Sequence, residues 1–265
     1  MVHKIGALIL ATSKNRDEWT MMEDTYLYQL TLKTFLLTID KEHNYIFYVG
    51  IDKGDRIFDN QTQQREITRF SKAFSNVEFK FITMEDIPKG YVTLMWNKLY
   101  EDAYKVGCDY FYQCGDDMEF KTKGWINDCI NKLKEHDDIG MTGPINNNNR
   151  ILTQSFVSRK HMEIFGWFFP KEIKNWCCDD WANMVYHPKY LYPLYNHLAE
   201  NKGGEPRYDI DNNPNFRLTK VTDINNGMKG NNMDFGKNVN TLRQKTSKLA
   251  ESHKPLIEKY IRENK

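Results

Sequence analysis

Through residue 114 the chain alternates short apolar runs with segments of helical period, and no other feature constrains its fold as much. IGALILAT (5–12), NYIFYVGID (44–52), VEFKFI (77–82) and DYFYQC (109–114) are compact, bounded by turn-forming residues, and read as strands. Between them, Leu27, Leu30, Thr34 and Leu37 recur on one helical face. Ile67, Phe70 and Phe74 mark a second such face, and Met95, Leu99, Ala103 and Val106 a third. Thr20 followed by Glu23 has the form of a capping box ahead of the first helix. This order predicts an α/β fold with a mostly parallel, Rossmann-like sheet flanked by helices. Sheets of that kind bind ligands beyond the carboxyl ends of their strands. Thr12, Asp52 and the pair Asp116–Asp117 all stand at such ends.

The pair belongs to YFYQCGDDMEF (110–120), and Gly-Asp-Asp after a strand also occurs at the tip of a polymerase hairpin. A hairpin requires a second strand at once, whereas here Met118–Phe120 leads through 121–124 into a helix bearing Ile126, Cys129, Ile130 and Leu133 on one face. The polymerase chemistry also needs a second motif with two Asp five or six positions apart, and no pair in this chain has that spacing.

Beyond 138 the pattern changes. IGMTGPINNNNRI reads as a polar loop, ILTQSFVS (151–158) as a strand, and RKHMEIF as a short helix. NWCCDDWANMVY (175–186) reads as a helix with acids in its first turn, stopping before Pro188. YLYPLYN (190–196) reads as a strand at a sheet edge because of Pro193, followed by a loop over NHLAENKGGEPRY. The C-terminal helix carries Leu242, Leu249, Leu256 and Ile261. The expected organisation is a nucleotide-binding half (1–120), an acceptor-binding half of the same domain (121–200), and a C-terminal extension (201–265). In that extension, the Gly- and Asn-rich stretch 224–236 suits a lid.

Charge bounds the partners. Lys plus Arg (37) nearly cancels Asp plus Glu (36), giving +1, so nothing favours nucleic acid as the main partner. The five cysteines include adjacent Cys177 and Cys178 but no C-x-x-C, so they form neither a zinc motif nor a disulfide framework; reduced thiols and a cytoplasmic location are expected. The N-terminal apolar run is too short to span a bilayer and leads into charged residues instead of a cleavage site, so no transmembrane segment is expected.

Four stretches together resemble a GT-A-type glycosyltransferase, most similar to the inverting family 2-like group. They are ILATSKNR, YVGID, NKLYEDAYKVGCDYFYQCGDD and EIFGWFFPKEIKNWCCDDW, and the resemblance spans roughly residues 5–197. It implies a nucleotide-sugar donor, UDP-linked by preference. It also implies a Mn²⁺ or Mg²⁺ ion that offsets the charge developing on the departing diphosphate. On this resemblance Asp117 is the first metal ligand, Asp116 binds the metal through water or the ribose, and His197 is a third ligand with His187 as rival. Thr12, Arg16, Asp52 and Asn97 would contact the nucleotide or its sugar. Asp180, with Asp179 as alternative, would be the catalytic base that deprotonates an acceptor hydroxyl on a glycan, lipid-linked or protein acceptor. Trp167, Phe168, Trp176 and Trp181 flank that pair and could stack on sugar faces.

Two departures from the family pattern stand out: Gly115 replaces the first acid of D-x-D, and the second motif is Asp-Asp after two cysteines. They keep two other readings open, a sugar nucleotidyltransferase and a catalytically degenerate nucleotide- or glycan-binding domain. The first calls for a glycine-rich loop after strand one, which ATSKNRDEW lacks.

Overall fold

A computed structural model describes residues 1–148, 150–203, 207–213 and 232–264, the last segment with side chains from 238 onward. In chain order the regular elements begin with β1 (Lys4–Ala11), α1 (Lys33–Thr38), β2 (Asn44–Asp52), α2 (Gln61–Thr68) and α3 (Phe70–Ala73). They continue with β3 (Val77–Met84), α4 (Val92–Lys105), β4 (Tyr110–Gly115), β5 (Met118–Phe120), α5 (Trp125–Lys134) and β6 (Met141–Ile145). Then come β7 (Ser155–Ser158), α6 (Lys160–Phe165), α7 (Cys178–Tyr186), β8 (Leu191–Asn201) and α8 (Asn232–Glu263).

The strands form one sheet in the order β3-β2-β1-β4-β7-β6-β8-β5. β3, β2, β1 and β4 are parallel neighbours, β7 runs antiparallel between β4 and β6, and β8 is parallel to β6. The architecture is the α/β, GT-A-like one expected, a mostly parallel sheet flanked by helices and followed by a C-terminal helix. Strands β1 and β2 are apolar almost throughout because both of their faces are covered. On one face Phe35 of α1 and Trp125 of α5 meet at 5.3 Å, with Phe120 stacked on Trp125 at 5.2 Å. On the other face Tyr100 of α4 meets Phe111 edge-on at 4.5 Å, and Trp181 of α7 is fully buried. Helix α4 stops where Gly107 takes a φ of +84°, a turn that lets Cys108 donate back to the Ala103 carbonyl and sends the chain into β4.

Several local expectations change. The Thr20 box is closed by Asp24, not Glu23: the Asp24 carboxylate accepts from the Thr20 backbone (2.8 Å) and hydroxyl (2.9 Å), and the turn it caps is 3-10. A strand does follow Gly-Asp-Asp, but β5 pairs with β8 (Met118 opposite Asn201), not with β4, so there is no hairpin. IGMTGPI contains β6, because Gly143 and Pro144 pair with Pro193 and Leu194. β8 continues through the expected loop to Asn201. Pro193 sits where β8 has β6 on one side only, since β5 pairs with residues 199–201; the missing N–H therefore costs no ladder bond. Of the expected lid, residues 224–231 lie outside the described residues, and 232 onward is helix. The five cysteines are free and buried, and no helix among the described residues is long and apolar enough to cross a membrane.

Because Trp125 joins α5 to the Phe35 and Phe120 rings, Trp125→Ala should cost about 3–5 kcal/mol. Urea denaturation would show this as a lower midpoint with an unchanged slope.

Candidate functional site

The carboxyl ends of β1 and β4, the start of α7 and part of α8 surround a cavity of about 680 Å³. Its lining includes Thr12, Asp117, Asp179, Asp180 and Asn201 from the chain up to the end of β8, and Arg207, Tyr208 and Arg243 from beyond it. Thus Thr12, Asp117 and the Asp179–Asp180 pair, predicted separately, share one wall space.

β4 delivers the acidic pair into a crowded turn. Asp116 is wholly buried, and Arg207 grips its carboxylate with both terminal nitrogens, one bond at 2.6 Å and a second, shorter one to the other oxygen. Asp117 accepts from Asn201 Nδ2 at 3.1 Å and stands 3.5 Å from Arg207, while its backbone carbonyl accepts from Lys202 at 2.8 Å. Burial, then the neighbouring charge of Asp116, pushes the Asp117 carboxyl above the ordinary range, and Arg207 opposes that rise. Glycines flank the Asp117 carboxylate closely on both sides. A β-carbon on Gly115 would stand 2.5 Å from Asp117 Oδ1, and one on Gly203 would collide with its other oxygen. The glycine at 115 is therefore part of this turn's packing as well as a missing acid.

The other predicted nucleotide contacts are held by the protein itself. Thr12 donates its hydroxyl to Asp55 (3.1 Å), a residue whose sequence context suggests only a turn. Asp55 also accepts from Ser13 N (2.7 Å), Ser13 Oγ (2.9 Å), Ile57 N (3.1 Å) and Phe58 N (3.0 Å), which ties the loop after β1 to the loop after β2. Asp52 is buried and accepts a short bond from the Tyr208 hydroxyl, so the ring of Tyr208, not Asp52, reaches the cavity. Arg16 donates to the Gly203 carbonyl at 2.7 Å and lies over Trp19 and Tyr26, outside the cavity lining. Asn97 brackets a turn: its Oδ1 accepts from Phe168 N (3.0 Å) and Phe169 N (2.8 Å), and its Nδ2 donates to the Phe169 carbonyl (2.8 Å).

His197 is engaged far from the acidic pair, with Asp128 at 2.7 Å and Thr122 at 3.0 Å. Among the described residues no group of three or more His, Cys, Asp or Glu is arranged to hold a metal. A hard divalent ion needs several free oxygen ligands. Here both oxygens of Asp116 face Arg207, and Asp117 is engaged by Asn201 on one oxygen and faces Arg207 with the other. The donor set as arranged does not fit the Mn²⁺ or Mg²⁺ that the resemblance implies.

At the far wall, Cys177 takes a left-handed φ of 69° and launches α7, placing Asp179 and Asp180 in its first turn. Asp180 is ion-paired with Arg243 Nε at 3.0 Å, and Arg243 comes from α8. Asp179 accepts the backbone N–H of Asp180 at 2.9 Å. Burial, then the charge of Asp180, raises the Asp179 carboxyl to about 6. Of the flanking aromatics, Trp176 lines the cavity, whereas Phe168 and Trp181 are core. Trp167 packs on Trp181 and His253. Arg207 and Tyr208 escape sequence reasoning because they lie in a polar stretch with no periodicity, and Arg243 because it is one of several charged positions on the C-terminal helix; the one available cue is a basic residue beside an aromatic at Arg207-Tyr208.

No protein-family model and no curated protein matches the sequence. Solved structures do match. Among them are S. aureus TarS (13% identity, TM-score 0.50, covering 75% of this chain and 36% of that one) and its residues 1–349 in complex with UDP-GlcNAc (13%, 0.51, 77% and 60%). The complex of the same fragment with UDP matches equally (13%, 0.50, 74% and 60%). The chain therefore spans between 36% and 60% of the length of these proteins, and the likeness is one of fold.

Two outcomes are expected. Asn97→Ala strips three backbone groups of their partners and should cost about 2–4 kcal/mol in urea melts, with nucleotide affinity of the folded fraction unchanged. A raised Asp179 carboxyl binds its proton more tightly in the folded state. It therefore stabilises the fold below the unfolded value of about 4, and that stabilisation is lost as pH rises through about 6. Asp179→Asn should consequently gain stability over wild type above pH 6, and the gain should shrink toward pH 4.

Proposed function

We propose that this protein is a glycosyltransferase that moves a sugar from a nucleoside-diphosphate sugar, UDP-linked, to an acceptor hydroxyl with inversion at the anomeric carbon. One observation carries the reading: a single cavity at the strand ends holds the Gly-Asp-Asp turn and a carboxylate pair at a helix start. The solved complexes of S. aureus TarS with UDP and UDP-GlcNAc support the donor class through a shared fold. The nucleotide would lie toward Thr12, Asp117 and Tyr208, and the acceptor, a glycan, lipid-linked or protein hydroxyl, toward Trp176, Asp179 and Asp180.

In the reaction the acceptor oxygen bonds to the anomeric carbon as the bond to the diphosphate oxygen breaks. The electron pair leaves with the diphosphate, and the hydroxyl proton passes to a carboxylate. Asp180 is the closer match to the family motif, yet it is held by Arg243. Asp179 is the proton acceptor in this proposal, because its proton affinity is poised near neutrality while its neighbour is ion-paired. The divalent ion is not carried into the proposal, since the donor set does not fit it. The nucleotidyltransferase reading lacks its glycine-rich loop here too: 12–20 is stitched by Asp55 and Asp24.

The test is calorimetric titration of UDP, with GDP and CMP as controls, followed by transfer assays with UDP-sugars. UDP binding in preference to the controls is expected. Asp179→Asn should lower transfer by about 10²–10⁴-fold at unchanged UDP affinity. The wild-type rate should rise with pH along a limb near 6. Tight UDP binding without turnover on any sugar nucleotide would instead favour a binding-only domain.

A further inference from the structure

The acidic pair at the end of β4 already has a cation, and it belongs to the chain. Arg207 makes two parallel N–H···O bonds to Asp116, whose carboxylate has no exposure to solvent. The remaining contacts of its terminal nitrogens are long: 3.3 Å to the Thr12 carbonyl and 3.5 Å to Asp117. The guanidinium is thus oriented firmly by Asp116 and only loosely engaged toward the cavity, which it lines. Burial alone would lower its proton affinity; the charge and hydrogen bonds of Asp116 outweigh that and raise it, so the group is permanently cationic.

The segment bearing Arg207 is a built wall. Asn175 fastens it from three sides, accepting from Asp211 N at 2.8 Å and donating to the Asp209 carbonyl (3.0 Å) and to Asn212 Oδ1 (3.2 Å). Ile210 is buried beneath it, and Asn212 donates to the Lys89 carbonyl at 3.1 Å. Even with Arg207 and Tyr208 in place, about 680 Å³ remains open beside them. Arg207 therefore flanks the donor space without filling it.

We infer that Arg207 is the resident cation of the donor site, receiving the diphosphate of the sugar nucleotide where the resemblance puts a divalent metal. This rests on the glycosyltransferase reading above. As the bond from the anomeric carbon to the diphosphate oxygen breaks, the electron pair arrives on an oxygen facing a fixed guanidinium; the acceptor supplies the new bond and Asp179 takes its proton. Charge develops beside a cation that is already fixed in the cavity wall, so no ion has to be recruited. Gly115 agrees with this: an acid there would crowd the Asp117 carboxylate and add a third negative charge where two already face one guanidinium.

The deciding experiment titrates UDP into wild type, Arg207→Lys and Arg207→Ala, each in EDTA and in Mn²⁺, with Mn²⁺ alone followed by electron paramagnetic resonance. Wild-type affinity should agree in EDTA and Mn²⁺, and Mn²⁺ alone should show no bound signal. Arg207→Ala should weaken UDP binding about ten- to hundredfold in both buffers, with Arg207→Lys between, because charge survives but the fork does not. Removing the partner of a buried carboxylate can unfold the protein. The doubly neutral Asp116→Asn/Arg207→Gln variant, checked by circular dichroism, therefore serves as the second case and should show the same loss. UDP binding that requires Mn²⁺ would overturn the inference and leave the glycosyltransferase reading standing. An Arg207→Ala protein that binds UDP as well as or better than wild type would also overturn it, making the guanidinium an obstacle. No UDP binding under any condition would remove both.

Discussion

A carboxylate with no access to water must be paired, and Asp116 is such a group. β4 carries it to the end of the sheet, where the parallel neighbours β1 and β4 leave no room for solvent around it. Its partner comes from 91 residues downstream, so the pairing of Asp116 with Arg207 draws the segment 207–213 across the strand ends. That closure places Tyr208 against Asp52 and sets one wall of the cavity. Asn175, Asp52 and the Lys89 carbonyl hold the rest of the segment, and the ion pair is what ties it to the turn after β4. Breaking one member of such a pair leaves an uncompensated buried charge, a cost of about 3–5 kcal/mol.

The two carboxylate pairs of the cavity are treated differently, and the difference follows from what faces them. Asp116 takes both terminal nitrogens of Arg207, and Asp117 stands beside the same guanidinium at 3.5 Å. Asp179 and Asp180 share Arg243 unequally: Asp180 is ion-paired with it, and Asp179 has backbone N–H groups only, beside a neighbouring charge that Arg243 offsets in part. A half-buried carboxyl next to a charge and short of partners holds its proton toward neutral pH. At β4 the ion pair with Arg207 holds Asp116 while burial raises Asp117, and at α7 the ion pair with Arg243 holds Asp180 while burial raises Asp179.

Much of the parallel half was legible. The runs that became β1, β2 and β4 are buried on both faces, so hydrophobic continuity marks them, and the carboxyl ends of β1 and β4 located Thr12, Asp116 and Asp117. What failed was local or long-range. β6 was hidden because Gly143 and Pro144 are poor strand formers that are tolerated where β8 supplies the pairing. The tail of β8 read as loop because NHLAEN is polar, its outer face being met by Glu119 and Lys121 of the β5 region through Lys202 and Glu200. Asp52 and Asn97 had the right residue type at a meaningful place, yet each was taken up by a partner far along the chain, Tyr208 and the Phe168–Phe169 turn. His197 likewise faces Asp128 instead of the acids. No periodicity records such pairings.

The division of charge along the chain explains why the site resists reading from motifs. The strand–helix half supplies acids, Asp52, Asp55, Asp116 and Asp117, because strand ends and turns accept short carboxylates that satisfy loop N–H groups. The arginines that answer the two carboxylate pairs, Arg207 and Arg243, come from beyond β8. An acidic half alone would present a cavity that repels a diphosphate, and an arginine-bearing extension alone would have nothing to orient it. Each acquires its chemistry only against the other, so the charge balance of the cavity is a property of the folded chain and not of any segment a motif can span.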